Sequence, residues 1–248
     1  SALTWEPAKM AAKKLDKKIQ DQLMEAHAEK SLRLTVFETC LFGHGMYKGP
    51  FAKDKEYAKW SKDGKYEPEL KMIPDVSHLS IWDSYPDPDA RNMEQCEYFI
   101  ERHKMNKTQI RQLKKRPFFR TESIEKAIEG GFNYTPEYWE NTLADYRNQE
   151  ASERFEVIEY WGVADTDFAE MAEVDIPKEY KKKDQIQINV WVCNGEILRL
   201  VFNPFTPARI PYQSVPFEIN PYSFFGIGVA ENMMDTQLLM NGFIRLAV

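Results

Sequence analysis

The sequence predicts an α+β protein: a mixed domain of antiparallel strands and several helices, followed by a long terminal helix. Three observations carry this reading. Residues 185–202 alternate in polarity around Asn194-Gly195, the strongest two-residue hairpin signal. Fourteen Pro, twelve Tyr, fifteen Phe and six Trp favour extended segments and turns with aromatic packing over a helical bundle. Residues 5–42 and 226–248 carry helical spacing instead.

Thr4 reads as the cap of a first helix over 5–29, with Pro7 in its first turn. Leu15, Ile19 and Leu23 form an apolar stripe at i, i+4, i+8. Lys9, Lys13, Lys14, Lys17 and Lys18 fall mostly off it, as on a solvated face. A second helix over 31–42 runs through Leu32, Val36, Phe37, Cys40 and Leu41, and Gly43-His44-Gly45 ends it. Met46 to Phe51 is short and extended, and Asp63-Gly64 between Trp60 and Tyr66 is a hairpin turn. Extended segments follow at 70–73 and 78–82, then a turn-rich loop over 83–89 and a strand over 96–100.

Asn106 and Gln109 make a capping box before Ile110 and Leu113. Thr121 reads as the cap of a helix that Gly130 stops, and Thr135-Pro136 opens a third helix reaching Asn148. Residues 156–162 return to strand, and Lys181-Lys182-Lys183 is a loop. Ile186, Ile188, Val190 and Val192 then alternate with Gln185, Gln187, Asn189 and Trp191 before Ile197 to Phe202 comes back. Pro204, Pro207, Pro211, Pro216 and Pro221 punctuate an irregular arm leading to Gly226-Ile227-Gly228 and the last helix. That helix reaches Leu246-Ala247-Val248 with no stop signal, and the chain opens on Ser1. Both features predict a piece of a longer protein.

The net charge of −6 argues against wholesale neutralisation of nucleic-acid phosphates by this surface. Apolar runs are too short for a membrane span. Cys40, Cys96 and Cys193 are scattered and odd in number, which points to reduced thiols.

Catalytic and ligand-binding patterns are weak. His27, His44, His78 and His103 show no i, i+3 or i+4 pair, so no metal is expected at the histidines. His44 between two glycines could serve as a loop base, but a helix-end role explains it as well. Gly226-Ile227-Gly228 lacks the third glycine of a dinucleotide fingerprint, since Glu231 holds that place; no cofactor is expected there. Asp87 with Asp89, and Asp165 with Asp167, read as turn residues rather than calcium ligands. The positive pattern lies on the terminal helix. Val229, Met233, Thr236, Met240 and Ile244 line one side, and Gln237, Asn241 and Arg245 form a polar ladder on another. Glu231 and Asp235 add a carboxylate pair near the N-terminus.

Several segments, in order, resemble the portal proteins (head-to-tail connectors) of tailed phages, of the podovirus and prophage type. They are Leu41 to Pro50, Tyr85 to Ala90, Glu159 to Gly162, Asn203-Pro204-Phe205, Ile210-Pro211-Tyr212 and Phe225 to Glu231. Asp235-Thr236-Gln237, Asn241 and Arg245 follow. The resemblance spans about 41 to 248 and is weakest from Lys107 to Asn148. It implies a wing-like domain over 1–225 and the start of a stem helix over 226–248, with clip, second stem helix and crown beyond. It implies a non-enzymatic subunit of a ring, usually a dodecamer, at one capsid vertex of the virion. Terminase large subunit, capsid or scaffold and tail adaptors would be partners, with double-stranded DNA passing through the channel and no membrane involved. Gly226, Gly228, Glu231, Asp235, Gln237, Asn241 and Arg245 would lie at the subunit interface or channel. The other classes open to the sequence are a phage nucleotide- or metal-dependent enzyme built around His44 or Gly226-Ile227-Gly228, and a structural tail or adaptor module.

Overall fold

A computed structural model describes residues 2–61, 63–147, 153–172, 174–205 and 209–247. The protein is α+β, with antiparallel sheets and a C-terminal helix. In chain order the first elements are α1 (Ala2–Glu25), α2 (Ala28–Phe42), β1 (His44–Tyr57), β2 (Glu69–Leu79), β3 (Ser84–Pro86) and β4 (Tyr98–Met105). Then come α3 (Lys107–Leu113), α4 (Thr121–Glu129), α5 (Tyr138–Arg147), β5 (Phe155–Asp165) and α6 (Thr166–Met171). The hairpin β6 (Gln185–Cys193) and β7 (Glu196–Phe202), the strand β8 (Tyr212–Pro216) and the helix α7 (Val229–Ala247) complete the chain. It divides into two compact units. One holds Ser1–Trp82, Arg91–Met93 and Pro211–Val248, and the other holds Asp83–Ala90 and Glu94–Ile210.

In the first unit, β1 pairs antiparallel with β2 on one side and β8 on the other. Asp63-Gly64 turns the chain between them as expected, with Trp60 bridged to Tyr66. The strands are longer than the sequence reading: β1 absorbs Met46 to Phe51, and β2 runs unbroken across 70–79 into a short 3-10 turn at Ile81–Asp83. The Pro-rich arm is likewise more regular, because Tyr212 to Pro216 finds a free edge on β1; Pro207 lies outside the described residues.

The two N-terminal helices break at Ala26-His27, earlier than the expected boundary between 29 and 31. Ala26 and Ala28 are buried against Val76, which pins the corner there, and His27 takes the left-handed conformation (φ 51°). Thr4 lies inside α1 rather than capping it, and Pro7 sits within the helix. Gly43 ends α2 as expected, also left-handed (φ 82°). The inward face of α2 is polar. Ser31 Oγ donates to the Val76 carbonyl (2.7 Å), Thr35 Oγ1 to the Met46 carbonyl (3.3 Å), and Thr39 Oγ1 to the Val215 carbonyl (3.2 Å). These short side chains let the helix lie almost on the strand: a Cβ added at Gly45 would sit 2.3 Å from Thr39 Oγ1. Leu32, Val36, Phe37, Cys40 and Leu41 consequently face outward and are exposed.

The second unit is an antiparallel sheet of order β3-β4-β5-β6-β7. Asn194 and Gly195 both take positive φ (51° and 77°), the geometry of the two-residue hairpin turn expected at this point. Both faces of the sheet are covered. Phe155, Val157, Trp191, Cys193 and Leu198 pack with Ile110 and Leu113 of α3 and Ile124 and Ala127 of α4. On the other face Ile186, Ile188 and Leu200 pack with Ala169 and Ile176. Double burial corrects the expectation that Asn189 and Trp191 mark a polar side of β6: both are buried.

The capping box at Asn106 and Gln109 is present in both directions, each bond 2.8 Å long. Arg120, not Thr121, occupies the cap of α4, because its N–H is used by the Leu198 carbonyl (2.8 Å) and holds it extended. Gly130 ends α4 in right-handed geometry, and Gly131 makes the left-handed turn. The helix expected from Thr135 starts at Tyr138, and Asn148 lies outside the described residues. Arg102 and Lys104 on β4 fasten α5 and the turn before it, through Glu137 (3.1 Å) and Glu140 (2.7 Å). Part of the turn-rich loop over 83–89 pairs as β3, and α6 was not expected.

Candidate subunit interface on the terminal helix

The terminal helix is launched from a crossing of main chains. A Cβ at Gly43 would meet Gly228 N at 2.4 Å, and one at Gly228 would meet Gly43 N at 2.6 Å. One at Gly226 would meet the Gly43 carbonyl oxygen at 2.5 Å. The Gly-Ile-Gly sequence is therefore explained by close packing against the end of α2. The Ile227 N–H donates to the Glu218 carbonyl (2.9 Å), and Asn232 Nδ2 donates to Glu218 Oε2 (2.9 Å), tying the first turn down.

His44 lies under this crossing. It is the first residue of β1, buried rather than on a helix-end loop, and its ring contacts Phe224 and Phe225. Its Nδ1 accepts the Gly226 N–H (3.3 Å), which requires the neutral ring with the proton on Nε2. Burial pushes the imidazole down to about 4. A neutral ring that holds a backbone amide suits a structural peg. Asp87 is likewise structural: its carboxylate accepts the N–H groups of Asp89 (3.0 Å) and Glu97 (3.2 Å), a turn role as expected.

Past its first turn α7 is solvent-exposed all round. Glu231, Asp235, Gln237, Asn241 and Arg245 are all exposed, and within the ladder Gln237 Nε2 donates to Asn241 Oδ1 (3.2 Å). Met233, Met234, Leu238, Leu239, Met240, Phe243, Ile244 and Leu246 are all more than half exposed. At about 100° per residue they spread over most of the circumference. Leu246, Leu239, Phe243, Met240, Met233 and Ile244 follow one another around a wide arc, and Met234 and Leu238 lie apart from it. Gln237, Asn241 and Arg245 run along the helix beside Met234 and Leu238. α7 therefore leaves most of its apolar side chains uncovered by the rest of the described chain.

One cluster escaped the sequence reading. Glu101, His103 and Glu159 are brought together on β4 and β5, the only group of three or more potential metal ligands among the described residues. The signal was Glu101-x-His103: on a strand, i and i+2 share a face, whereas the search of spacings considered helices. No protein-family model matches the sequence, and no curated protein is similar to it. No described helix is long and apolar enough to cross a membrane.

Proposed function

We propose that this chain is a subunit of a ring-forming portal protein, the channel at one capsid vertex of a tailed phage. α7 would be the start of its stem. The observation that carries the reading is the uncovered apolar surface around α7, beyond a main-chain crossing that fixes where the helix begins. In a closed ring of identical copies each subunit has two neighbours through heterologous contacts, so a helix with apolar surface on more than one side fits that setting. The ladder of Gln237, Asn241 and Arg245 would bond laterally to the adjacent copy or line the channel. The negative chain suits a conduit, because dense phosphate contacts would brake moving DNA. Terminase, capsid or scaffold and tail adaptors are the partners this role implies.

Electron microscopy of the full-length protein tests it. Rings with a central hole are expected, and the double substitution Asn241→Ala and Arg245→Ala should lower ring yield while circular dichroism stays unchanged. A monomer at all concentrations would refute the ring. Unchanged ring yield in the double variant would refute only the role of the ladder.

A further inference from the structure

Glu101, Glu159, Trp191 and Arg199 stand in one register row across β4, β5, β6 and β7. The first two are glutamates directly opposite each other, an arrangement that destabilises a strand pair unless positive charge comes between them. Their side chains are 11% and 3% exposed. His103, two residues along β4 from Glu101, shares that face. Its Nε2 lies 2.8 Å from Glu159 Oε2, and its Nδ1 lies 3.4 Å from Glu101 Oε1. One nitrogen of His103 and one oxygen of each carboxylate all fall within 4.8 Å of one another.

The surroundings hold these groups in place. Glu159 Oε1 accepts from Trp161 Nε1 (2.6 Å) and Asn189 Nδ2 (3.2 Å), which turns Oε2 towards His103. Trp191 stacks on the imidazole, with ring centroids 4.7 Å apart and planes within 10°. Hydrogen bonds to the second carboxylate oxygen and a clamped ring are the supports that orient ligands around an ion. Asn189 is fully buried, yet its Oδ1 has no hydrogen-bond partner among the described residues. A buried acceptor left open on the residue that bonds Glu159 is a further group that a cation would satisfy.

We propose that Glu101, His103 and Glu159 bind a divalent transition metal of the zinc class. The donor set of one imidazole and two carboxylates suits such an ion better than calcium or magnesium. A dication places two positive charges between the glutamates, where a proton on His103 places one. Ligand bonds of about 2.0–2.2 Å set neighbouring donor atoms roughly 3.3 Å apart, so an ion on Nε2 beside Glu159 requires the Glu101 carboxylate, which now faces Nδ1, to turn towards it. The site is independent of α7 and of the ring.

The test uses the whole chain stripped with EDTA and titrated with ZnCl2 by calorimetry, with CoCl2 followed by visible absorption in parallel. One ion per chain is expected, with cobalt bands of a low-coordinate N/O site and a rise in Tm on adding zinc. His103→Ala and Glu159→Gln should each weaken binding by more than about tenfold. His78→Ala, which alters a histidine outside the cluster, should bind as the unaltered chain does. Glu101→Gln serves if either substitution fails to fold. Absence of binding at millimolar metal, or binding untouched by changes at 101, 103 and 159, would overturn the proposal. So would a Tm that responds to pH and not to metal, since the cluster would then be a proton-bridged triad only.

Discussion

In the second unit, β5, β6 and β7 set Phe155, Val157, Cys193 and Leu198 under α3 and α4, and Ile186, Ile188 and Leu200 against Ala169 and Ile176. In the first unit, the sheet receives the threonine side of α2, and Leu32, Val36, Phe37 and Leu41 point into solvent. The stripes of α1 and α7 do the same. Both units are written in the same apolar and polar periodicity. The difference teaches that periodicity reports the existence of an apolar face and not what covers it. The second unit supplies its own cover, whereas the first leaves the apolar stripes of three helices exposed.

The strongest way to break this comparison is to damage the self-covered core. Phe155→Ala, at a site 1% exposed and packed with Phe132, should cost about 3–5 kcal/mol and lower the Tm of the second unit in a calorimetric scan. A loss below about 1 kcal/mol would mean that core is loose.

Acid should act on the first unit instead. His44 has a folded pKa of about 4 against an ordinary value near 6.5, so the folded state resists its protonation. Between those values the unfolded chain binds more protons, and stability rises with pH. The His44 contribution is therefore complete above pH about 6.5 and is lost as pH falls towards 4, about 3 kcal/mol in all. Urea melts from pH 7 to 4 should show this slope, and His44→Leu should remove it. A parallel fall in both proteins would place the acid sensitivity elsewhere.

A smaller effect tests how turn chemistry ties the second unit together. Asn194 Nδ2 donates to the carbonyls of Ala127 (2.7 Å) and Gly131 (2.9 Å), so one turn residue also closes the end of α4. Asn194→Ala loses both bonds and strains a left-handed position, for a cost of about 1–3 kcal/mol in chemical denaturation. Asn194→Asp should not restore it, having no N–H to donate.

Smallest of all should be the effect of Leu238→Ser on monomer stability, within about 0.5 kcal/mol, because the side chain is 62% exposed. Sedimentation of the full-length protein should nonetheless shift towards smaller species. A large stability loss with unchanged association would show that the side chain is covered within its own chain.

Three local signals match the structure, whereas the cap signals at Thr4 and Thr121 do not. Asn194-Gly195, the Asn106 and Gln109 capping box and the Gly43 stop each act within a few residues, so the chain states them directly. α7 was legible as a helix for the same reason. The inverted face of α2 was not: Thr35 and Thr39 bond carbonyls of their own helix, and what turns them inward is their approach to carbonyls on β1 and β8, the latter 176 residues away in the case of Thr39. The break at His27 depends on Val76 in the same manner. Among candidate sites, the ladder on α7 is a one-helix pattern and could be found by spacing. The Glu101, His103 and Glu159 cluster needs two strands in register, with His103 and Glu159 lying 56 positions apart.

The glycine crossing at 43, 226 and 228 has a consequence for engineering. Apart from the bond from Asn232 to Glu218, α7 takes its bearing from backbone pressed on backbone, so its own side chains contribute little to the line along which it departs. The junction is a mount. A helix of unrelated sequence spliced in after Asn232 should leave along the same axis, and the tolerance is lopsided: almost any cargo beyond the mount, and nothing bulkier than hydrogen within it.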